Sequence, residues 1–117
     1  MNKIHLISSL VAIVILSGCQ QTVGINTVLN IRTADYLNPD IQGNASPVVL
    51  SVYELKTQKT FNQLNYQTLT TKPNEFLKND LIDIHTTEVR PHTLSRITIY
   101  INKDTRYLGV IAGYRSI

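Results

Sequence analysis

The chain has one cysteine, Cys19, among its 117 residues. A single cysteine cannot form an intramolecular disulfide, so packing alone must hold the folded domain together, even in an oxidising compartment. Lysine and arginine are spread along the chain, and the formal net charge is only +3. Because a nucleic-acid-binding surface needs clustered positive charge, we expect no nucleic-acid partner.

The main apolar run near the start, from Ile4 to Leu16, is short of the ~20 residues that a transmembrane helix needs. It follows the cationic Lys3 and leads into small residues, which is the layout of a secretory signal peptide over residues 1–18. The sequence Leu16-Ser17-Gly18-Cys19 matches the lipobox pattern, in which the cysteine thiol is linked to diacylglycerol. A transmembrane helix that ends at Cys19 is the less favoured alternative.

Cys19 is therefore the expected lipid attachment point. Acyl chains anchor a protein because each buried methylene contributes about 0.8 kcal/mol. Gln20 stands where an aspartate marks retention in the inner membrane of many Gram-negative bacteria, so we expect the outer membrane, with the protein facing the periplasm. Residues 19–26 then form a lipidated tether, and residues 27–117 form one domain.

The chain lacks the residue combinations on which catalysis or metal binding depends. His85 and His92 have no cysteine or acidic partner at a metal-ligand spacing, and Asp80 and Asp83 are typical of a solvated edge. No Gly-x-Ser-x-Gly elbow or phosphate-binding glycine loop is present. We predict no catalytic residue, no metal site and no cofactor beyond the lipid. A hydrolase that depends on one of the histidines is the least favoured function.

Alternation of apolar and polar residues predicts strands in the mature chain, as at Leu29 and Ile31. The turn at residues 102–105 is polar and short enough to join two of them as a hairpin. Gly109 and Gly113 leave room for close packing in the last strand. The predicted strands cover residues 27–34, 48–55, 84–90, 94–102 and 107–115.

Helical periodicity replaces this alternation between the second and third strands. Apolar residues over Phe61–Leu69 recur at three and four residue intervals, which predicts one amphipathic helix capped by Thr57 or Thr60. Pro73 is typical of the first turn of a second helix. Two prolines and Gly43 place an exposed loop at residues 37–47. The predicted fold is mainly β, an antiparallel sandwich with a short helical insertion.

Several short motifs follow the lipobox in a fixed order: Leu37-Asn38-Pro39-Asp40, Pro47-Val48-Val49, Val52-Tyr53-Glu54-Leu55-Lys56, Leu77-Lys78-Asn79-Asp80-Leu81-Ile82, Arg90-Pro91 and Tyr107-Leu108-Gly109-Val110-Ile111-Ala112. Together they resemble the TssJ family, the outer-membrane lipoproteins of type VI secretion systems. The resemblance implies a transthyretin-like β-sandwich with added helices and a binding role rather than an enzymatic one. Family members continue into further strands after the position of Arg115, so it also implies that this sandwich lacks its C-terminal strands.

The resemblance further implies a partner. TssJ proteins hold the periplasmic C-terminal region of the inner-membrane protein TssM and thereby anchor the trans-envelope complex. Their contacting element is the loop between the first two strands, a usual place for recognition on a rigid scaffold. It maps here to Asn38, Pro39, Asp40, Ile41, Gln42 and Gly43. Turn chemistry alone is the other interpretation of the Asn-Pro-Asp sequence.

A second function stays open at this point. Transthyretin-like sandwiches hold small molecules, so the chain is alternatively a periplasmic small-ligand-binding lipoprotein. Tyr53 and Tyr100 are the candidate contacts for such a ligand.

Overall fold

The computed structural model describes residues 23–115. Within them lie β1 (Ile25–Arg32), β2 (Val48–Leu55), α1 (Lys59–Gln63), α2 (Tyr66–Thr71), α3 (Pro73–Leu77), a 3₁₀ turn (Lys78–Asp80), β3 (Leu81–Val89), β4 (Leu94–Ile101) and β5 (Tyr107–Gly113). The predicted signal peptide and Cys19 lie outside the described residues. In this part of the chain, no helix is long and apolar enough to cross a membrane.

The strands form two antiparallel sheets. β1 pairs with β4 along their whole length, from Ile25 opposite Ile101 to Arg32 opposite Leu94. β2 is the centre of a three-stranded sheet with the order β3-β2-β5. The mainly β, antiparallel fold predicted from the sequence is confirmed. Strand ends differ by a few residues, since β1 begins two residues earlier than predicted and β3 begins three residues earlier.

The predicted hairpin between β4 and β5 is wrong. The two strands belong to different sheets, so residues 102–105 carry the chain from one sheet to the other. The carboxylate of Glu54, at the end of β2, accepts hydrogen bonds from the Asn102 backbone N–H and the Thr105 hydroxyl. This contact holds the turn beside β2, and β5 then pairs with β2 from Val49 opposite Gly113 to Leu55 opposite Tyr107.

The two sheets pack face to face across a shared apolar core. Alternate side chains of every strand point inward, because successive residues in a strand face opposite sides. Buried Leu37, Val48 and Val89 form one cluster of this core, against which Ile31 and Leu50 pack. A cavity of about 50 Å³ lies between the sheets. Burial of these side chains stabilises the sandwich by about 25 cal/mol per Å² of apolar surface.

The helices cover the opposite face of the three-stranded sheet. Tyr53 and Leu55 of β2 are buried with Leu69 of α2 and Leu77 of α3. A Cβ atom on Gly109 would lie 2.5 Å from the ring of Phe61. The prediction that Gly109 leaves room for close packing is therefore confirmed, since a side chain at this position would force the Phe61 ring to shift.

The single helix predicted over Phe61–Leu69 is two helices, so this prediction is wrong. Asn65 separates them with extended backbone, and its side chain accepts a hydrogen bond of 2.8 Å from the Thr68 N–H. A cap of this kind starts a new helix instead of continuing the preceding one. Neither predicted threonine caps α1, whose N-cap is Gln58. The second predicted helix begins at Pro73 as expected.

Candidate functional site

The loop of residues 33–47 joins β1 to β2 and contains all six predicted partner contacts. Its first part is tied to the turn between β3 and β4. The Thr33 N–H donates to the Thr93 carbonyl at 3.0 Å, and the His92 N–H donates to the Ala34 carbonyl at 3.1 Å. The side chains of Asp35 and His92 are also hydrogen-bonded to each other. The loop therefore leaves β1 along a defined path.

Asn38 is the buried centre of this loop, with 4% of its surface exposed. Its side-chain amide donates to the Pro47 carbonyl at 2.8 Å, and its side-chain oxygen accepts from the Arg115 N–H at 2.7 Å. The Ser46 hydroxyl donates a hydrogen bond to the backbone carbonyl of Asn38. Its φ of 44° lies in the left-handed region, which asparagine tolerates better than most residues. Asn38 thus joins both ends of the loop to the segment that follows β5.

Asp40 forms a turn at the tip of the loop. One carboxylate oxygen accepts from the backbone N–H groups of Gln42 and Asn44, both at 2.9 Å. The hydrogen bond from the Asn44 backbone is the main reason that the pKa of Asp40 lies below its ordinary value of 3.8. Gly43, at φ 83°, completes the turn in a conformation that favours glycine. This side-chain-to-backbone bonding is the turn chemistry that the Asn-Pro-Asp sequence also predicted.

The turn presents Ile41 to solvent with 92% of its surface exposed. Gln42 and Gly43 beside it are exposed, and Pro39 is half-buried. The six predicted contacts therefore divide by position. Asn38 and Asp40 build the frame of the loop, while Ile41, Gln42 and Gly43 form an exposed tip. An apolar side chain held on a fixed frame is suited to binding another protein, because little conformational entropy is lost on contact.

The two tyrosines of the alternative, small-ligand function are not brought together. Tyr53 lies under the helices, and its hydroxyl donates to the Leu69 carbonyl at 2.9 Å. Tyr100 lies on the outer face of the two-stranded sheet, where its hydroxyl accepts from the Gly24 N–H at 2.6 Å. Tyr53 lines an open surface pocket of about 400 Å³ together with Tyr66 of α2, and Tyr100 does not contribute to it. The structure therefore supplies no shared site for these residues.

A buried carboxylate that sequence reasoning missed lies at the far end of β2. Glu54 is 1% exposed, and one of its oxygens is 2.5 Å from Nε2 of His85 on β3. Burial raises the pKa of Glu54, but hydrogen bonds from Thr105, His85 and Asn102 outweigh it and hold this pKa below 4.5. The signal in the sequence was a charged residue at an inward-facing position of an apolar strand, because Glu54 alternates with Leu50 and Val52. His92, by contrast, lies in the exposed pair with Asp35.

Comparisons with known proteins agree with this architecture. The model of the family described as type VI secretion lipoprotein, VasD, EvfM, TssJ, VC_A0113, matches residues 26–117. No curated protein matches the chain. The solved structure of the lipoprotein TssJ1 from Pseudomonas aeruginosa is 33% identical with a TM-score of 0.72, and the match covers 80% of this chain and 71% of that one.

Two further solved structures are similar. A chain of a type VI membrane complex is 26% identical with a TM-score of 0.71, over 80% of this chain and 72% of that one. A chain in the structure of the T6SS protein TssM C-terminal domain (869–1107) from EAEC is 22% identical with a TM-score of 0.67, over 80% and 70% of the two chains. This last likeness shows the fold alone. The family match and the identity to TssJ1 together show that this chain belongs to the TssJ family of type VI secretion lipoproteins.

Proposed function

We propose that this protein is lipid-anchored in the outer membrane, faces the periplasm, and anchors the trans-envelope complex of a type VI secretion system by binding the periplasmic C-terminal region of TssM. Membership of the TssJ family supports the secretion role. A chain of a type VI membrane complex has the same fold and is 26% identical, which supports a place for this protein in such a complex. The lipobox ending at Cys19 supports the lipid anchor.

The observation that carries the proposal is the exposed tip of the loop between β1 and β2. Ile41 is the most exposed large apolar side chain of the described residues, at 92%. It follows Asp40, whose two backbone hydrogen bonds hold the turn. A side chain that is already positioned loses little entropy on binding, so burial of Ile41 in a partner pocket contributes nearly its full hydrophobic free energy. Gln42 and Gly43 supply neighbouring backbone and side-chain polar groups.

The test of this contact is the Ile41→Ala variant. It removes three buried carbons, each contributing about 0.8 kcal/mol, so association should weaken by about 2.4 kcal/mol, or ~50-fold in Kd. The measurement is calorimetric titration of the full chain, purified in detergent, with the TssM periplasmic C-terminal region. Ile25→Ala is the matched control, because Ile25 is 69% exposed but lies at the start of β1, at the opposite end of that strand from the loop. Unchanged affinity of Ile41→Ala, or an equal loss in both variants, would contradict the proposed contact.

The anchor is tested separately at Cys19, which we propose carries the lipid as its only attached group. Cys19→Ser removes the thiol to which diacylglycerol is linked. The variant should therefore be missing from the outer-membrane fraction when membranes are separated by density, while the parent chain fractionates with the outer membrane. Retention of the variant in the outer membrane would show that another feature holds the protein there.

A further inference from the structure

We propose that Glu54, Asp83 and His85 form a binding site for a single zinc ion at the rim of the sandwich. This site is separate from the loop proposed to bind TssM. Glu54 lies six residues after Val48, the first residue of β2, which is about 20 Å along the strand from the loop. The outcome of the metal experiment is therefore independent of the outcome of the TssM experiment.

The strand register brings the three side chains together. Glu54 of β2 lies opposite Asp83 of β3, and His85 follows two residues later on the same face of β3. One donor atom from each residue lies within 4.8 Å of the other two. The spacing of these residues along the sequence does not predict the cluster, because Glu54 belongs to β2 whereas Asp83 and His85 belong to β3.

In both carboxylates, one oxygen faces His85 and the other oxygen accepts hydrogen bonds from the protein. In Glu54, one oxygen accepts from the Asn102 N–H at 2.8 Å and from the Thr105 hydroxyl, and the other lies 2.5 Å from the His85 Nε2. In Asp83, one oxygen accepts from the Ile84 N–H at 2.8 Å, and the other lies 4.0 Å from the His85 Nε2. Hydrogen bonds of this kind orient metal ligands and fix their direction.

The spacings suit zinc after small side-chain rotations. Zinc bonds of about 2.0–2.2 Å in a tetrahedral site place neighbouring ligand atoms roughly 3.3–3.6 Å apart. The observed separations from the His85 Nε2, 2.5 Å to Glu54 and 4.0 Å to Asp83, lie on either side of this range. One imidazole and two carboxylates are a donor set that zinc accepts, whereas magnesium prefers six oxygens. A water molecule would fill the fourth position.

The three side chains differ in their exposure to solvent, so the site combines a buried ligand with a path by which an ion can enter. Glu54 is 1% exposed at its side chain, His85 is 25% exposed and Asp83 is 64% exposed. A hydrated ion therefore reaches Asp83 from solvent and exchanges its water for the inner ligands. Since a ligating imidazole nitrogen must be free of its proton, His85 would bind the ion through Nε2 with its ring proton on Nδ1.

The experiment titrates Zn²⁺ alone into the full chain, purified in detergent and treated with a chelator. We expect saturable binding of one ion per chain by calorimetry and a higher thermal midpoint with Zn²⁺ present. Asp83→Asn and His85→Gln should each weaken binding by more than about tenfold, the lower bound for loss of a residue that merely supports a ligand. Co²⁺ in place of Zn²⁺ should give the visible absorption of a four-coordinate site, and the same variants should abolish it.

His92→Gln is the matched control, because His92 also pairs with a carboxylate, that of Asp35, but lies outside the cluster. It should bind Zn²⁺ like the parent chain. Asp83→Asn keeps the experiment decisive if His85→Gln fails to fold, because Asp83 is at the exposed rim. No saturable binding, binding that survives Asp83→Asn, or an equal loss in His92→Gln would overturn the proposal.

Discussion

Replacing Asn38 by alanine separates a structural role for this residue from a direct contact with the partner. Asn38 is one of the six predicted contacts, yet it is 4% exposed and bonded to Pro47 and Arg115. Asn38→Ala removes both side-chain bonds and leaves alanine at a φ of 44°. We therefore expect the variant to lose stability first, and to lose partner affinity only because the loop is less ordered.

The size of the effect follows from these contacts. The partner groups on Pro47 and Arg115 are only partly buried, so each lost bond costs the ordinary net value of about 1 kcal/mol. Left-handed backbone adds about 1 kcal/mol for alanine. The sum of about 3 kcal/mol corresponds to a fall of roughly 12–24 °C in thermal midpoint for a domain of this size. Asn38→Gly, which relieves the backbone strain, should be less destabilised by about 1 kcal/mol.

Thermal and urea unfolding followed by circular dichroism measure this effect, with Gln42→Ala as the control. Gln42 is exposed on the same loop and engages Asp40 through its backbone N–H, so its replacement should leave the midpoint within about 4 °C of the parent, in line with surface substitutions. An Asn38→Ala protein that melts like the parent but fails to bind TssM would refute the structural role. It would instead make Asn38 a direct contact.

Two further results are expected. Because the folded pKa of Asp40 lies below 3.8, its contribution to loop order is present above pH 3.8 and is lost as the pH falls through the lowered pKa. The amide resonances of Gln42 and Asn44 should titrate below pH 3.8, and a midpoint at or above that value would contradict the turn. Glu54→Gln should cost about 2 kcal/mol, because hydrogen bonds to a charged acceptor are stronger than neutral ones. The exposed Glu88→Gln is its control, and equal midpoints in thermal unfolding would show that the buried charge contributes nothing.

The positions of the elements could largely be predicted from the sequence. Alternation placed all five strands within a few residues of their observed ends, because a strand with one buried face imposes a period of two on its own residues. The start of α3 at Pro73 was also predictable, because proline fits the first turn of a helix. The break at Asn65 was missed, because an apolar stripe at helical spacing continued across a residue that caps a new helix.

The division of the predicted binding loop was not predictable. Asn38 and Ile41 belong to one short polar segment in the sequence, and turn chemistry describes both equally well. The buried Asn38 side chain is bonded to the backbone of Arg115, which is 77 residues away. The end of β5 lies beside the loop only because β5 pairs with β2 in the sheet. The local sequence therefore does not indicate that Asn38 is buried in the frame of the loop while Ile41 is exposed at its tip.

By itself, the sequence determined where the strands form, where α3 begins, where the lipid anchor is expected and which family the chain resembles, since each of these follows from short runs of contiguous residues. The tertiary structure alone decided that β4 and β5 enter different sheets. It also placed Glu54 against His85, 31 residues apart. The physical reason is that periodicity specifies which face of a strand is buried but not which strand lies beside it. Neighbours are selected by the packing of the whole sandwich, and that selection creates both the framed loop and the Glu54, Asp83 and His85 cluster.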